Sequence, residues 1–158
     1  MKILKIYLET TIFNYFFDKD REAHADTVTL FDEIQAGKYE AFTSTYVTDE
    51  LDEADEPKRS QMLSLIKEYN ITLLEADNKA RELADIYVRN GVIPLKYSYD
   101  GLHIGIATVY DLDYIFSLNF QHINRQKTKT MTSYINISEG YRPINICSPM
   151  EVIDREEE

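Results

Sequence analysis

The sequence predicts an α/β chain, a three-layer α/β/α sandwich around a mostly parallel sheet of about five strands. Two observations predict it. Short β-type runs alternate with segments of helical apolar spacing along the whole chain, and the punctuating residues fall between them. Strands separated by helices imply right-handed βαβ crossovers, and hence parallel pairing with helices on both faces.

The elements follow in order. Residues 3–8 form a β-type run that stops at Glu9, after which Ile12, Phe13, Phe16 and Phe17 take helical spacing. A second helix over 21–35 carries Val28, Phe31 and Ile34 and stops at Gly37, ahead of a strand at 39–43. Ser44 or Thr45 caps the next helix, whose inner face holds Val47 and Leu51. Pro57 suits the first turn of a helix through Met62, Leu63, Ile66 and Tyr69, and 71–74 reads as the third strand. Asp77 caps a helix ended by Gly91, and Asp100 lies at or just inside the start of the helix bearing Leu102, Ile104, Ile106, Ala107 and Tyr110. Strands at 114–118 and 144–147 complete the sheet, and the polar stretch 124–133 has periodicity too weak to assign.

Composition narrows the function classes. With 158 residues and 44% hydrophobic content, residues 1–152 are read as one domain and 153–158 as an acidic, solvated tail. A net charge of -11 argues against an electrostatic clamp on nucleic acid, although bound cations can invert a local field. The lone Cys147 forms no internal disulfide, and the first residues lack the apolar core of a signal peptide, so a cytoplasmic protein is expected. No apolar run approaches the roughly 20 residues that span a bilayer, so no membrane insertion is expected.

Four polar positions far apart in sequence, Glu9, Glu50, Asp100 and Asn119, each stand beside an apolar segment. In a doubly wound sheet the ligand crevice lies beyond the carboxyl ends of the strands, where Glu9 and Asn119 fall; Glu50, about one and a half turns into its helix, and Asp100, near the start of its own, can lean over the same edge. Carboxylates converging to about 4 Å repel by roughly 4 kcal/mol per pair at an effective dielectric of 20, which calls for a cation or a proton. Oxygen donors of this kind select Mg²⁺ or Mn²⁺ over zinc. Three carboxylates leave -1 against one divalent ion, whereas two ions would leave +1 before any substrate arrives, so a single firmly held metal is expected in the free protein.

The same residues lie in four ordered motifs: Tyr7-Leu8-Glu9-Thr10-Thr11-Ile12, Val47-Thr48-Asp49-Glu50-Leu51, Asp100-Gly101-Leu102-His103-Ile104-Gly105-Ile106-Ala107, and Asp113-Tyr114-Ile115-Phe116-Ser117-Leu118-Asn119-Phe120. Together, and with the ending Ile146-Cys147-Ser148-Pro149, they resemble the PIN domain family through about Val152. The resemblance implies a Mg²⁺- or Mn²⁺-dependent endoribonuclease, commonly the toxin of a prokaryotic toxin–antitoxin pair. It places Glu9, Glu50 and Asp100 as metal ligands and Asn119 as a neutral fourth member of the catalytic site. Two departures matter: the usual first residue is Asp, so Glu9 adds a methylene, and the usual last residue is Asp, so Asn119 removes a charge. The run from Asn119 to Ile123 resembles a subgroup in which Asn is usual at that place.

Each residue also has a plainer reading. Asp100 can be a helix N-cap, Glu50 part of a solvated acidic face with Asp49, Asp52, Glu53, Asp55 and Glu56, and Glu9 an acceptor for the next helix's first amides. His103 reads as a satisfied, partly buried histidine. Thr10 and His122, with the basic cluster Arg125, Lys127 and Lys129, are candidate RNA contacts, His122 also for proton transfer. The expected partners are RNA, an antitoxin protein and a second copy in a homodimer, with Tyr39 and Tyr69 as candidate docking residues. A PIN-like domain without activity, acting through a protein partner, is the alternative; a phospho-acceptor domain fits less well, since Glu9 stands without a second acid after the first strand.

Overall fold

The computed structural model describes residues 2–154. Five parallel strands, β1 (Leu4–Leu8), β2 (Tyr39–Ser44), β3 (Thr72–Leu74), β4 (Tyr114–Phe116) and β5 (Asn145–Cys147), stand in the order β3-β2-β1-β4-β5. The helices are α1 (Thr10–Phe17), α2 (His24–Gln35), α3 (Thr45–Asp52), α4 (Lys58–Glu68), α5 (Asn78–Arg89), α6 (Ser98–Val109) and α7 (Gln126–Ser138). Helices α1 to α4 pack on one another, as do α5 to α7, and the two groups flank the sheet. Central β1 pairs with β2 on one side and with β4 on the other, so the strand order reverses between β1 and β4. That reversal opens a crevice at the carboxyl ends of these two strands.

Local chemistry explains most element boundaries. Ser44 ends β2 and accepts the Val47 amide hydrogen bond at 3.3 Å, and Asp77 accepts that of Ala80 at 2.9 Å, so both helices start on side-chain caps. On α2 the buried stripe is Thr27, Leu30, Phe31 and Ile34, the spacing of one helical face. The core is dominated by fully buried Tyr7, Phe13, Phe31, Tyr87 and Phe116.

Three expectations are corrected. The polar stretch 124–133 enters helix α7, which presents Thr128, Thr132 and Asn136 to the interior and leaves Tyr134 and Ile137 exposed. Burial is possible because every inward polar group is bonded: Thr128 Oγ1 donates to the His122 carbonyl at 2.6 Å, Thr132 Oγ1 to the Thr128 carbonyl at 2.7 Å, and Asn136 accepts from Tyr87 Oη while donating to Thr108 Oγ1. The fourth strand ends at Phe116, because Leu118 turns its amide to Thr11 Oγ1 instead of the sheet. Tyr39 and Tyr69 are half-buried rather than exposed: Tyr39 packs on Phe116, and Tyr69 packs edge-on against Phe16 and Phe31.

At the chain's end, Ile153 is buried and Asp154 pairs with Lys38 at 2.8 Å; residues 155–158 of the expected tail lie outside the described residues.

Candidate active site

Glu9 follows β1 directly and is only 3% exposed. Its Oε1 accepts from Thr11 Oγ1 at 2.6 Å and from Ser117 Oγ at 2.7 Å. Its amide also donates to the Phe116 carbonyl at 3.1 Å. Glu9 occupies the N-cap position of α1 but its side chain makes no capping bond, so the plainer role of accepting the helix amides is not the one adopted. Two strand ends thus fix this carboxylate at the crevice. Thr10, beside it, is buried, and its Oγ1 has no hydrogen-bond partner among the described residues.

Glu50 comes from the last turns of α3 and is tied to the core by a chain of buried groups. His103 Nε2 meets Glu50 Oε1 at 2.7 Å, His103 Nδ1 meets Tyr7 Oη at 2.6 Å, and Tyr7 Oη meets Ser44 Oγ at 2.7 Å. With His103 neutral and its proton on Nε2, the ring donates to Glu50 and accepts from Tyr7, while Ser44 donates to Tyr7 and accepts the Val47 amide. Burial works to raise the Glu50 pKa, but the hydrogen bond and charge of His103 hold it below 4.5. Burial works to lower that of His103, yet the Glu50 hydrogen bond and the charges of Glu9, Glu50 and Asp100 leave it above 6.5.

These opposite shifts set a pH dependence. The His103 contribution to stability is complete below its unfolded value near 6.5 and is lost as pH rises through the higher folded value. The Glu50 contribution is present above its unfolded value near 4.5 and is lost as pH falls through the lower folded one. Thermal melts should therefore show the advantage of wild type over Glu50→Gln largest in mildly acid solution and shrinking into the alkaline range. An advantage that grows with pH would refute this account of the pair.

Asp100 is the third residue of α6 and makes no cap; the N-cap position is Tyr97. Among the described residues no hydrogen bond supports its charge. Burial raises its pKa above 3.8, Glu9 and Glu50 push it further up, and His103 and His122 oppose them. The three carboxylates, brought from β1, α3 and α6, therefore feel one another in one crevice. Among the described residues no three His, Cys, Asp or Glu side chains stand close enough to enclose an ion. The donors are nevertheless hard oxygens, the type that suits a cation keeping several of its own waters.

Asn119 lies at the same edge, with its side chain committed to the turn: Oδ1 accepts the His122 amide at 3.1 Å, and its carbonyl accepts the Asn124 amide at 2.8 Å. His122 stacks on Tyr97, ring centroids 4.3 Å apart. Arg125 and Lys127 are exposed at the start of α7, and Lys129 lies 3.9 Å from Glu151. Sequence reasoning missed the roles of Tyr7 and Ser44, whose patterning is that of ordinary core and cap residues, and it missed Tyr46, Arg81, Tyr97 and Tyr99 around the crevice.

No family model matches the sequence, and no curated protein matches it. Among solved structures the chain is similar to VapC20 of Mycobacterium tuberculosis, a sarcin–ricin loop cleaving toxin, with a TM-score of 0.58. The fold is PIN-like. The likeness spans 89% of this chain and 98% of the other at 11% identity, so the PIN-like frame is shared end to end while the side chains differ.

Proposed function

We propose that this chain is a Mg²⁺- or Mn²⁺-dependent endoribonuclease that hydrolyses RNA phosphodiester bonds and serves as the toxin of a prokaryotic toxin–antitoxin pair. What supports the reading is that Glu9, Glu50 and Asp100 lie along the β1/β4 edge, where Asp100 feels the charge of the other two. None of the three carboxylates is a helix cap, and their mutual repulsion has no structural benefit in the free chain. The described helices include none long and apolar enough to cross a membrane.

Glu9, Glu50 and Asp100 are the residues that would hold the metal. Bound there, a hard divalent cation supplies a more acidic water and a polarised phosphoryl oxygen. The protein's own groups do the positioning: Thr11 and Ser117 set the Glu9 carboxylate, and His103, backed by Tyr7, sets that of Glu50. Asn119, neutral, holds the turn that places His122 beside Tyr97. In this reading the Asn belongs to a PIN subgroup rather than being a lesion, and one metal is held firmly in the absence of RNA.

The commitment of Asn119 Oδ1 to a backbone amide also favours a second reading, a PIN-like domain with little activity that acts through a protein partner. Incubating the protein with structured and single-stranded RNA separates the two. Cleavage is expected with Mg²⁺ or Mn²⁺ and is expected to stop with EDTA. Cleavage that survives EDTA removes metal dependence; absence of cleavage with either metal leaves the partner-binding reading.

A further inference from the structure

Two tyrosines at the crevice stand out from the core, on which Tyr46 packs. Tyr99 is 62% exposed and Tyr97 41% exposed, immediately before Asp100 at the start of α6. On one side, Tyr99 meets Tyr46 of α3, with ring centroids 5.8 Å apart. Arg81 of α5 lies 5.6 Å over the Tyr46 ring and donates to Tyr46 Oη at 2.9 Å. These three line a cleft of about 580 Å³ whose wall includes Glu50, Asp49 and Glu53. On the other side, Tyr97 stacks on His122, with Lys96 Nζ 5.6 Å from the Tyr97 ring.

We infer that Tyr99 with Tyr46 and Arg81, and Tyr97 with His122, are two stacking platforms that hold unpaired RNA bases on either side of the phosphate presented to Asp100. This inference rests on the nuclease reading for the position of that phosphate, and on exposure and ring geometry for the platforms. Exposed tyrosine rings beside a site match the face of any base, and a neighbouring cation strengthens the stack. The acids Asp49 and Glu53 repel a phosphate and accept hydrogen bonds from base N–H groups, so the first cleft admits a base rather than backbone. Bases held in a duplex cannot offer their faces, so the ligand is single-stranded or looped RNA.

The test is fluorescence anisotropy in EDTA, using a labelled single-stranded RNA of mixed sequence and the same strand annealed to its full complement as a loop-free duplex. Tyr99→Ala and Tyr97→Ala are each expected to weaken single-strand binding by about five- to a hundred-fold, with Tyr99→Phe within about two-fold of wild type. Duplex binding should be weaker and unmoved by these changes. Both alanine variants binding like wild type, a preference for the duplex, or no binding of either RNA by wild type would each overturn the inference. Cleavage assays keep it separate from the nuclease reading. Tyrosine-dependent binding without cleavage leaves the platforms standing and removes the nuclease, whereas cleavage at wild-type kcat/KM in both alanine variants removes the platforms alone.

Discussion

Replacing Asp100 with asparagine is expected to suppress RNA cleavage by at least about a hundred-fold while raising the melting temperature of the metal-free protein. The activity estimate follows from metal sites generally, where loss of a group that merely orients a ligand costs about 10- to 100-fold, so loss of a ligand costs more. The stability gain follows from the direction of the Asp100 pKa. Burial, then Glu9 and Glu50, raise it above 3.8, so the ionised form is disfavoured in the folded chain. A group shifted this way contributes stability below its unfolded pKa and loses it as pH rises through the folded value, so at neutral pH the charge is a burden that a neutral amide of equal shape removes. Magnesium should reverse the order. A ligand at a hundred times its dissociation constant adds about 2.7 kcal/mol to the protein that binds it, and only wild type keeps the full site. Melts with and without Mg²⁺ therefore cross: the variant leads without metal, and wild type gains more with it. Equal gains in both proteins would remove Asp100 from the metal site, and equal cleavage would remove it from catalysis.

Much of this architecture can be read from the chain because local chemistry and tertiary demand agree. Ser44 and Asp77 are capping residues by type, and they cap. The run Leu4–Leu8 is apolar and β-rich, and it is the central strand. Helix α7 shows why periodicity fails: its fully buried positions are Thr128, Thr132 and Asn136, while apolar residues are split between partly buried Met131 and Ile135 and exposed Tyr134 and Ile137. Only the partners, Tyr87, Thr108 and the His122 carbonyl, make that face suitable for burial, and they lie up to 49 residues away. The site divides in the same way. Glu9, Glu50 and Asp100 stand out as acids beside apolar elements, whereas the support of Glu50 by His103 and Tyr7 depends on which buried groups meet across elements. The platforms were illegible for the same reason: Tyr46, Arg81 and Tyr99 come from α3, α5 and α6, and nothing in their spacing links them.

Gly105→Val should produce the largest loss of stability, about 3 kcal/mol, through the packing of α6 on α5. A Cβ at Gly105 would stand 2.7 Å from the Ala80 carbonyl oxygen, a backbone atom that no rotamer change can move. Overfilling a close-packed contact costs about 1–3 kcal/mol, and valine adds two methyl groups to the carbon that already collides. Gly105→Ala is the graded case: the collision remains, offset by the roughly 1 kcal/mol that alanine gains over glycine within a helix. Gly101→Ala is the control, since its Cβ would meet Ile93, Ala84 and Tyr87 at ordinary distances of 3.6–3.7 Å, so the helical gain should appear without the collision. Urea denaturation is expected to rank the proteins Gly101→Ala, wild type, Gly105→Ala, Gly105→Val in falling stability. The loss should also reach the site, because α6 carries both Asp100 and His103, and a helix pushed off α5 takes the carboxylate and the support of Glu50 with it. Cleavage in the folded fraction of Gly105→Ala should fall, while Gly101→Ala keeps it. Equal stability of wild type and Gly105→Val would show that α6 is free to shift on α5, and that the placement of Asp100 does not depend on this contact.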